Sequence, residues 1–118
     1  MNKTEFGKIG ESITCKYLCQ NHYKIIDKNY YYRGGEIDII AYDEEENELV
    51  FIEVKTRSNY SYGTPAEAVT NVKQKHIYKA ARYYIHLHNL YELYTRIDVI
   101  EILLKNNSYK LNHLKQVT

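Results

Sequence analysis

Three charged residues lie in a stretch that otherwise alternates like two half-buried strands. The stretch GEIDIIAYDEEENELVFIEVKTR contains Asp38 in its first half, and Glu53 and Lys55 in its second half. Carboxylates on neighbouring strands are hard oxygen ligands of the kind that Mg²⁺ or Mn²⁺ prefers. A lysine beside them could hold a phosphate oxygen or help deprotonate an attacking water. The set predicts metal-assisted hydrolysis of a phosphodiester.

The same stretch predicts the hairpin that must position these groups. The strands are predicted over Glu36–Asp43 and Glu48–Lys55, with a turn at Glu44–Asn47. A turn of this length pairs Asp43 with Glu48, which places Asp38 opposite Glu53 and Glu36 opposite Lys55. Because strand residues alternate between faces, one side of the hairpin is apolar and the other is mixed. The apolar side is predicted to carry Ile37, Ile39, Ala41, Val50, Ile52 and Val54.

Periodicity leaves two interpretations of the mixed side open. Two opposed carboxylates repel, and partial burial would raise the pKa of at least one of them, so a bound cation would offset the cost. Alternatively, the mixed side faces solvent, as one side of an antiparallel sheet commonly does, and Glu36 pairs with Lys55.

The rest of the chain supplies the other elements. Apolar residues at helical spacing predict a helix over about residues 4–21, and Lys24–Tyr32 is typical of a first strand. Thr64 and Pro65 begin a short helix, and a longer helix follows from Asn71 to about Asn89. Residues 95–104 form a fourth strand and residues 109–114 an edge strand. The order α-β-β-β-α-β predicts one domain over residues 1–118, an α/β or α+β fold with a mixed sheet flanked by helices.

The longer helix and the fourth strand carry further polar patterns. One stripe of the helix is polar, with Lys75, Lys79, Arg82 and His86, and the other is apolar, with Ile77, Ala80, Tyr84 and Leu87. Arg96 and Asp98 share a face of the fourth strand, which predicts a structural ion pair.

Composition favours a cytoplasmic globular protein. No apolar run approaches the roughly 20 residues that span a bilayer, and the first residues lack the apolar segment of a secretory signal. The formal net charge is +1, but residues 1–48 carry 6 basic and 10 acidic side chains, whereas residues 49–118 carry 10 and 5. One part of the surface is therefore suited to a polyanion.

Five residues are candidates for binding nucleic acid. Arg57 directly follows the third strand, a natural position for a phosphate contact. Tyr60 and Tyr62 in the next loop offer rings for base stacking. Lys73 and Gln74 lie at the start of the longer helix, where backbone N–H groups favour an anion. Tyrosine rings used for packing, and a lysine stem that covers the core edge, explain the same residues without a ligand.

The chain resembles the YraN-like family of small bacterial proteins, within the restriction-endonuclease-like superfamily that has the motif PD-(D/E)xK. The resemblance rests on GKIGE, GEIDII, FIEVKTR, GTPAEAV, KQK and RIDV, and spans roughly residues 7–104. It implies a restriction-endonuclease-like fold, with Asp38 and Glu53 as the motif's acids and Lys55 as its lysine. Ile37 stands where the motif often has proline.

The resemblance also implies that Glu11 on the first helix helps bind metal. On the helical wheel, Glu11 lies at the margin of the apolar stripe beside Gly7, and an exposed glutamate fits that position equally well. By analogy with related resolvases, a homodimer is expected.

These patterns together predict a Mg²⁺- or Mn²⁺-dependent endonuclease that acts on DNA, including branched or processed DNA. Two alternatives remain. One is a catalytically silent nucleic-acid-binding module in a DNA-processing complex, and the other is an interaction domain whose mixed face is solvated.

Overall fold

The computed structural model describes residues 3–58 and 71–117, apart from the side chains of residues 3 and 71–74. Within them lie α1 (Lys3–Gln20), β1 (Tyr23–Tyr32), β2 (Gly35–Asp43), β3 (Glu48–Arg57), α2 (Asn71–Leu87), β4 (Tyr94–Lys105) and β5 (Ser108–Leu114). The predicted α+β class with a mixed sheet is confirmed, and β5 extends the predicted order by the expected edge strand. The short helix predicted after Pro65 lies outside the described residues. No helix in the described part of the chain is long and apolar enough to span a bilayer.

The five strands form one sheet in the order β1-β2-β3-β4-β5. Neighbouring strands are antiparallel, except for β3 and β4, which are parallel. The parallel pair is possible because the connection between β3 and β4 contains α2 and returns the chain to the same end of the sheet.

The helices cover opposite faces of the sheet and bury two apolar clusters. The α1-side core consists of Leu18, Tyr23, Ile39, Ala41, Val50, Ile52, Ile100 and Ile102. The α2-side core consists of Ile37, Ile40, Leu49, Phe51, Ile77, Ala80, Ala81, Tyr84 and Ile97. The predicted apolar stripe of α2 is confirmed except for Leu87, which is 57% exposed because it ends the helix beyond the part that packs on the sheet.

The hairpin register is confirmed from the Asp43–Glu48 pair to the Ile39–Ile52 pair. The predicted apolar side is wrong at Ile37, which joins the α2-side core, whereas Ile39 joins the α1-side core. On the paired strand β1, Asn29 has a positive φ of 52° between the partners of these two residues. A left-handed residue interrupts the pleat of its own strand, and the alternation of β2 is broken beside it.

Helix α1 crosses β3 at closest approach where Gly10 meets Thr56. A Cβ placed on Gly10 would lie 1.8 Å from the Thr56 Oγ1 atom and 3.0 Å from its Cβ. The helix can sit this close to the strand only because residue 10 has no side chain. Glycine at this position therefore sets the distance between α1 and the sheet.

A buried ionic network around Arg96 on the α1 side joins residues of all five strands. The guanidinium donates hydrogen bonds to Asp98, Asp43, Glu48 and Tyr23. The predicted Arg96–Asp98 pair is thus part of a larger network, which also includes a 2.7 Å contact between His113 Nε2 and Asp98 Oδ2. Burial alone would raise the pKa of Asp98, but bonds from His113 and Arg96 outweigh burial and lower it.

We expect Gly10→Ala to lower the free energy of unfolding by about 1–3 kcal/mol, the usual cost of overpacking a close contact. Urea denaturation of both proteins measures this change. Gly7→Ala is the matched control, because a Cβ on Gly7 meets nothing within 4 Å. Since alanine is the better helix former, that variant should gain up to about 1 kcal/mol. Equal effects at both positions would contradict the close approach.

We expect Arg96→Met to destabilise the protein by about 3–5 kcal/mol at pH 7, because it leaves buried carboxylates without their cation. Asp98 and Asp43 have pKa values below the usual 3.8, so their contribution is present above about pH 4 and is lost as the pH falls through the folded-state values. Urea denaturation between pH 3 and 7 tests both points. Lys105→Met, at an exposed position on the same strand, is the control and should change little.

Candidate active site

Asp38 lies where the pairing between β2 and β3 ends. Beyond the Ile39–Ile52 pair, the Val54 N–H donates to Asp38 Oδ2 at 2.7 Å, so a side-chain oxygen replaces a backbone acceptor. The bond fixes the carboxylate between the two strands. It also satisfies a backbone donor that the separation of the strands would otherwise leave unpaired.

Glu53 reaches the same place from β3. It follows Phe51 by two residues and therefore points to the α2 side, where its side chain is almost buried, with 7% of the residue exposed. The Lys55 ammonium lies 3.4 Å from Glu53 Oε1. The burial of Glu53 excludes the interpretation in which this side of the hairpin is simply solvated.

The two carboxylates line a small pocket between the sheet and α2. Its volume is about 260 Å³, and its walls include Gly34, Gly35 and His76. A Cβ on Gly35 would lie 3.0 Å from the His76 carbonyl oxygen, so the glycine allows α2 to approach the strand. Sequence patterns gave no reason to select His76. Only the packing of α2 on the sheet brings it to the same pocket as Asp38.

The pocket strongly disfavours two negative charges. Burial, followed by the Glu53 carboxylate, raises the pKa of Asp38 to about 8, although the bond from Val54 N–H opposes the shift. Glu36 and Glu11 add smaller contributions of the same sign as Glu53. A cation bound between the carboxylates would relieve this repulsion.

Glu101 on β4 is a charged residue of this region that sequence reasoning missed. The parallel register pairs it with Lys55. It is 1% exposed, and neither carboxylate oxygen has a hydrogen-bond partner among the described residues, although Arg57 Nε lies 3.5 Å from Oε2. Arg57, predicted to contact phosphate, thus borders a buried carboxylate. Only the parallel pairing of β3 with β4, which the sequence does not show, reveals this arrangement.

Glu11 is half-buried on α1 at the margin of the site. It lines a separate pocket with Lys28 and Asn29, on the α1 side of the sheet. Burial raises its pKa, and the charges of Glu36 and Glu53 add to that effect. Glu11 is therefore close enough to sense the site electrostatically, and its role as a metal ligand stays a prediction.

The donor set suits a hard cation with few protein ligands. Within residues 3–58 and 71–117, no three His, Cys, Asp or Glu residues are grouped so that they could hold a metal ion together. Asp38 and Glu53 form a carboxylate pair, and Mg²⁺ commonly binds one or two carboxylates and keeps its other positions for water and phosphate. The pair fits such an ion by its chemistry and by the charge repulsion within it.

The remaining predicted contacts are outside the described atoms. Tyr60 and Tyr62 lie outside the described residues. Lys73 and Gln74 are in the first turn of α2, as expected, but their side chains lie outside the described part of the chain. Their roles in nucleic-acid binding stay predictions.

We expect Asp38→Asn to stabilise the metal-free protein at pH 8. Because the folded-state pKa of Asp38 lies above the unfolded value, the wild type loses stability as the pH rises from about 4 to about 8. Asparagine does not titrate and can still accept the Val54 N–H bond. The gain at pH 8 should be roughly 1 kcal/mol or more, since cross-strand repulsion alone costs up to that amount.

Urea denaturation in EDTA at pH 4 and pH 8 measures this difference. The gain should shrink towards zero at pH 4, because the folded wild type then carries a neutral Asp38 and the variant a neutral asparagine. Glu44→Gln, at an exposed position in the β2–β3 turn, is the control and should show no such pH dependence. A loss of stability in Asp38→Asn at pH 8 would mean that the carboxylate supports the fold.

Comparison with known protein sequences places this chain in a family. The profile of the family described as "Uncharacterised protein family UPF0102" matches residues 10–102. A UPF0102 protein of Carboxydothermus hydrogenoformans is 46% identical over 117 residues, which cover 99% of this chain and 98% of the relative. A UPF0102 protein of Clostridium perfringens is 45% identical over 111 residues, covering 92% of this chain and 89% of the relative. The predicted YraN-like relationship is confirmed, and the chain belongs to the family UPF0102.

Proposed function

We propose that this protein is a metal-dependent nuclease that hydrolyses phosphodiester bonds in DNA. The observation that carries the proposal is the meeting of Asp38 and Glu53 in one pocket, with Lys55 beside them, at the point where β2 and β3 separate. The mixed sheet with helices on both faces and the GEIDII and FIEVKTR motifs support a restriction-endonuclease-like fold. A cytoplasmic location and a homodimer are expected with this function.

Each residue in or beside the pocket has a separate role in the proposed reaction. Asp38 and Glu53 would hold Mg²⁺ or Mn²⁺, which when bound supplies positive charge and Lewis-acid polarisation of the phosphate. The Val54 N–H fixes the orientation of the Asp38 carboxylate. Lys55 lies 3.4 Å from Glu53 and donates hydrogen bonds to a phosphate oxygen or to the attacking water. Its ammonium thereby stabilises the negative charge that develops on the phosphorane.

Two carboxylates also distinguish this proposal from a silent binding module. A pocket that only held a phosphodiester would gain nothing from two acids, since both repel the phosphate. In the metal-free protein, burial and then the Glu53 carboxylate raise the pKa of Asp38, so ionising Asp38 is costly. A catalytic metal site explains why both acids are present, because a bound cation offsets their repulsion.

We expect the wild type to cleave DNA with Mg²⁺ or Mn²⁺, Glu53→Gln to be inactive, and Lys55→Met to be slower by about 10²–10³-fold. The measurement is a cleavage assay on linear, single-stranded and branched DNA and on RNA. Glu44→Gln, outside the pocket, is the control and should retain full activity. Cleavage that persists unchanged in Glu53→Gln, or its absence in the wild type on every substrate, would contradict the proposal.

A readout independent of turnover accompanies the assay. Mn²⁺ should raise the thermal unfolding temperature of the wild type by mass action, and the shift should be lost in Glu53→Gln. If DNA binds and no metal effect appears, the alternative of a silent nucleic-acid-binding module is favoured.

A further inference from the structure

A second and larger cavity lies beside the active-site pocket. Its volume is about 660 Å³, within the range of about 300–1,000 Å³ that is usual for ligand sites. We call it the tyrosine groove. Its walls include Tyr32, Arg33, Lys79, Arg82, Tyr83 and His86.

The tyrosine groove is locally basic. Arg33, Lys79 and Arg82 are all exposed, and no Asp or Glu is among the described residues that line the groove. The formal net charge of the whole chain is only +1, so this concentration of cations is local. A groove of this kind attracts an anion.

Its aromatic rings are arranged for stacking. Tyr32 and Tyr83 lie parallel, with ring centroids 4.2 Å apart and an interplanar angle of 7°. The Arg33 guanidinium lies over the Tyr32 ring at 5.5 Å. Tyr83 is 38% exposed and Tyr91, also in the lining, is 63% exposed. A flat ring from a ligand can extend this stack.

The tyrosine groove and the active-site pocket lie next to each other on two shared elements. In the β1–β2 turn, Arg33 lines the groove and Gly34 lines the pocket. Along α2, His76 lines the pocket and Arg82 lines the groove, about 9 Å farther along the helix axis. That separation corresponds to roughly two to three stacked nucleotides at 3.4 Å each.

We propose that the tyrosine groove binds an unpaired nucleotide of the same DNA strand that the active-site pocket cleaves. This proposal rests on the function proposed above and assigns its substrate class, DNA with a single-stranded segment next to the scissile phosphate. The base stacks on the Tyr32–Tyr83 pair, while Arg33, Lys79 and Arg82 hold the adjoining phosphates.

The aromatic faces are what select an unpaired base. In a duplex the bases are stacked on one another and present only their edges, so a tyrosine face has nothing to stack on. Cations alone would bind duplex and single-stranded DNA through their phosphates. The combination therefore favours a single strand, a flap or a frayed end.

The test is fluorescence anisotropy with labelled oligonucleotides in EDTA, which separates binding from cleavage. The probes are single-stranded oligothymidylate, an abasic strand of equal length and a duplex. We expect the wild type to bind oligothymidylate at least about 10-fold more tightly than the abasic strand and the duplex. Tyr83→Leu should weaken binding of oligothymidylate by roughly 5- to 150-fold and leave the abasic strand unaffected.

Two further variants separate stacking from charge. Tyr83→Phe keeps the ring and should bind like the wild type. Arg82→Gln should weaken binding of both single strands, and it should reduce the slope of log affinity against log salt by about 0.7 for each phosphate that the variant no longer neutralises. Tyr109→Leu and Lys110→Gln, at exposed positions on β5, are the matched controls and should change nothing.

Equal binding of the three probes, or an unchanged affinity in Tyr83→Leu, would overturn the proposal. Cleavage by the wild type with no preference for unpaired bases would leave the nuclease function standing and reject the groove. Stacking-dependent binding without cleavage by the wild type on any substrate would reject the nuclease function and keep the groove as a binding site.

Discussion

The hydrogen bond from the Val54 N–H to the Asp38 carboxylate is the constraint on which the site depends. A buried backbone donor needs a partner, and β2 and β3 stop pairing just before Val54. The carboxylate provides that partner and so allows the strands to separate without an orphaned N–H. The pocket between the sheet and α2 lies at this end of the pairing, and Asp38 is part of its wall. The end of the sheet pairing and the candidate active site are therefore one structural feature.

The two groups of acids in the sheet contrast in how their charge is balanced. Around Arg96, one guanidinium serves Asp43 and Asp98, and both acids have lowered pKa values. Around Asp38, the nearest strong influences are burial and another carboxylate, and the pKa is raised to about 8. The first group is balanced within the protein, whereas the second carries a repulsion that a bound cation would relieve. This difference supports the proposal that Asp38 and Glu53 bind a metal ion.

The sequence predicted those parts that depend on local pattern. Turn length set the β2–β3 register correctly, and alternation placed Arg96 and Asp98 together. It failed where the alternation of β2 is broken, because Ile37 and Ile39 lie on opposite faces beside the positive φ of Asn29 on β1. Polar residues brought together only by the tertiary fold were also missed. Glu101 approaches Lys55 through a parallel pairing, and His76 approaches Asp38 through helix packing, neither of which has a signal in local spacing.

The charges of the acidic pocket and of the basic tyrosine groove are complementary. Two carboxylates repel a polyanion, so a phosphodiester reaches them only if cations nearby lower the potential along its path. Lys55 supplies one such charge beside the pocket, and Arg33, Lys79 and Arg82 supply three more along the adjoining groove. On the proposed function, the cations alone would bind any nucleic acid, and the parallel Tyr32–Tyr83 pair would add a preference for an unpaired base. Because both sites share the β1–β2 turn and α2, a strand held in the groove would be directed to the carboxylates. Such an arrangement would let a chain of formal net charge +1 act on DNA without a basic surface overall.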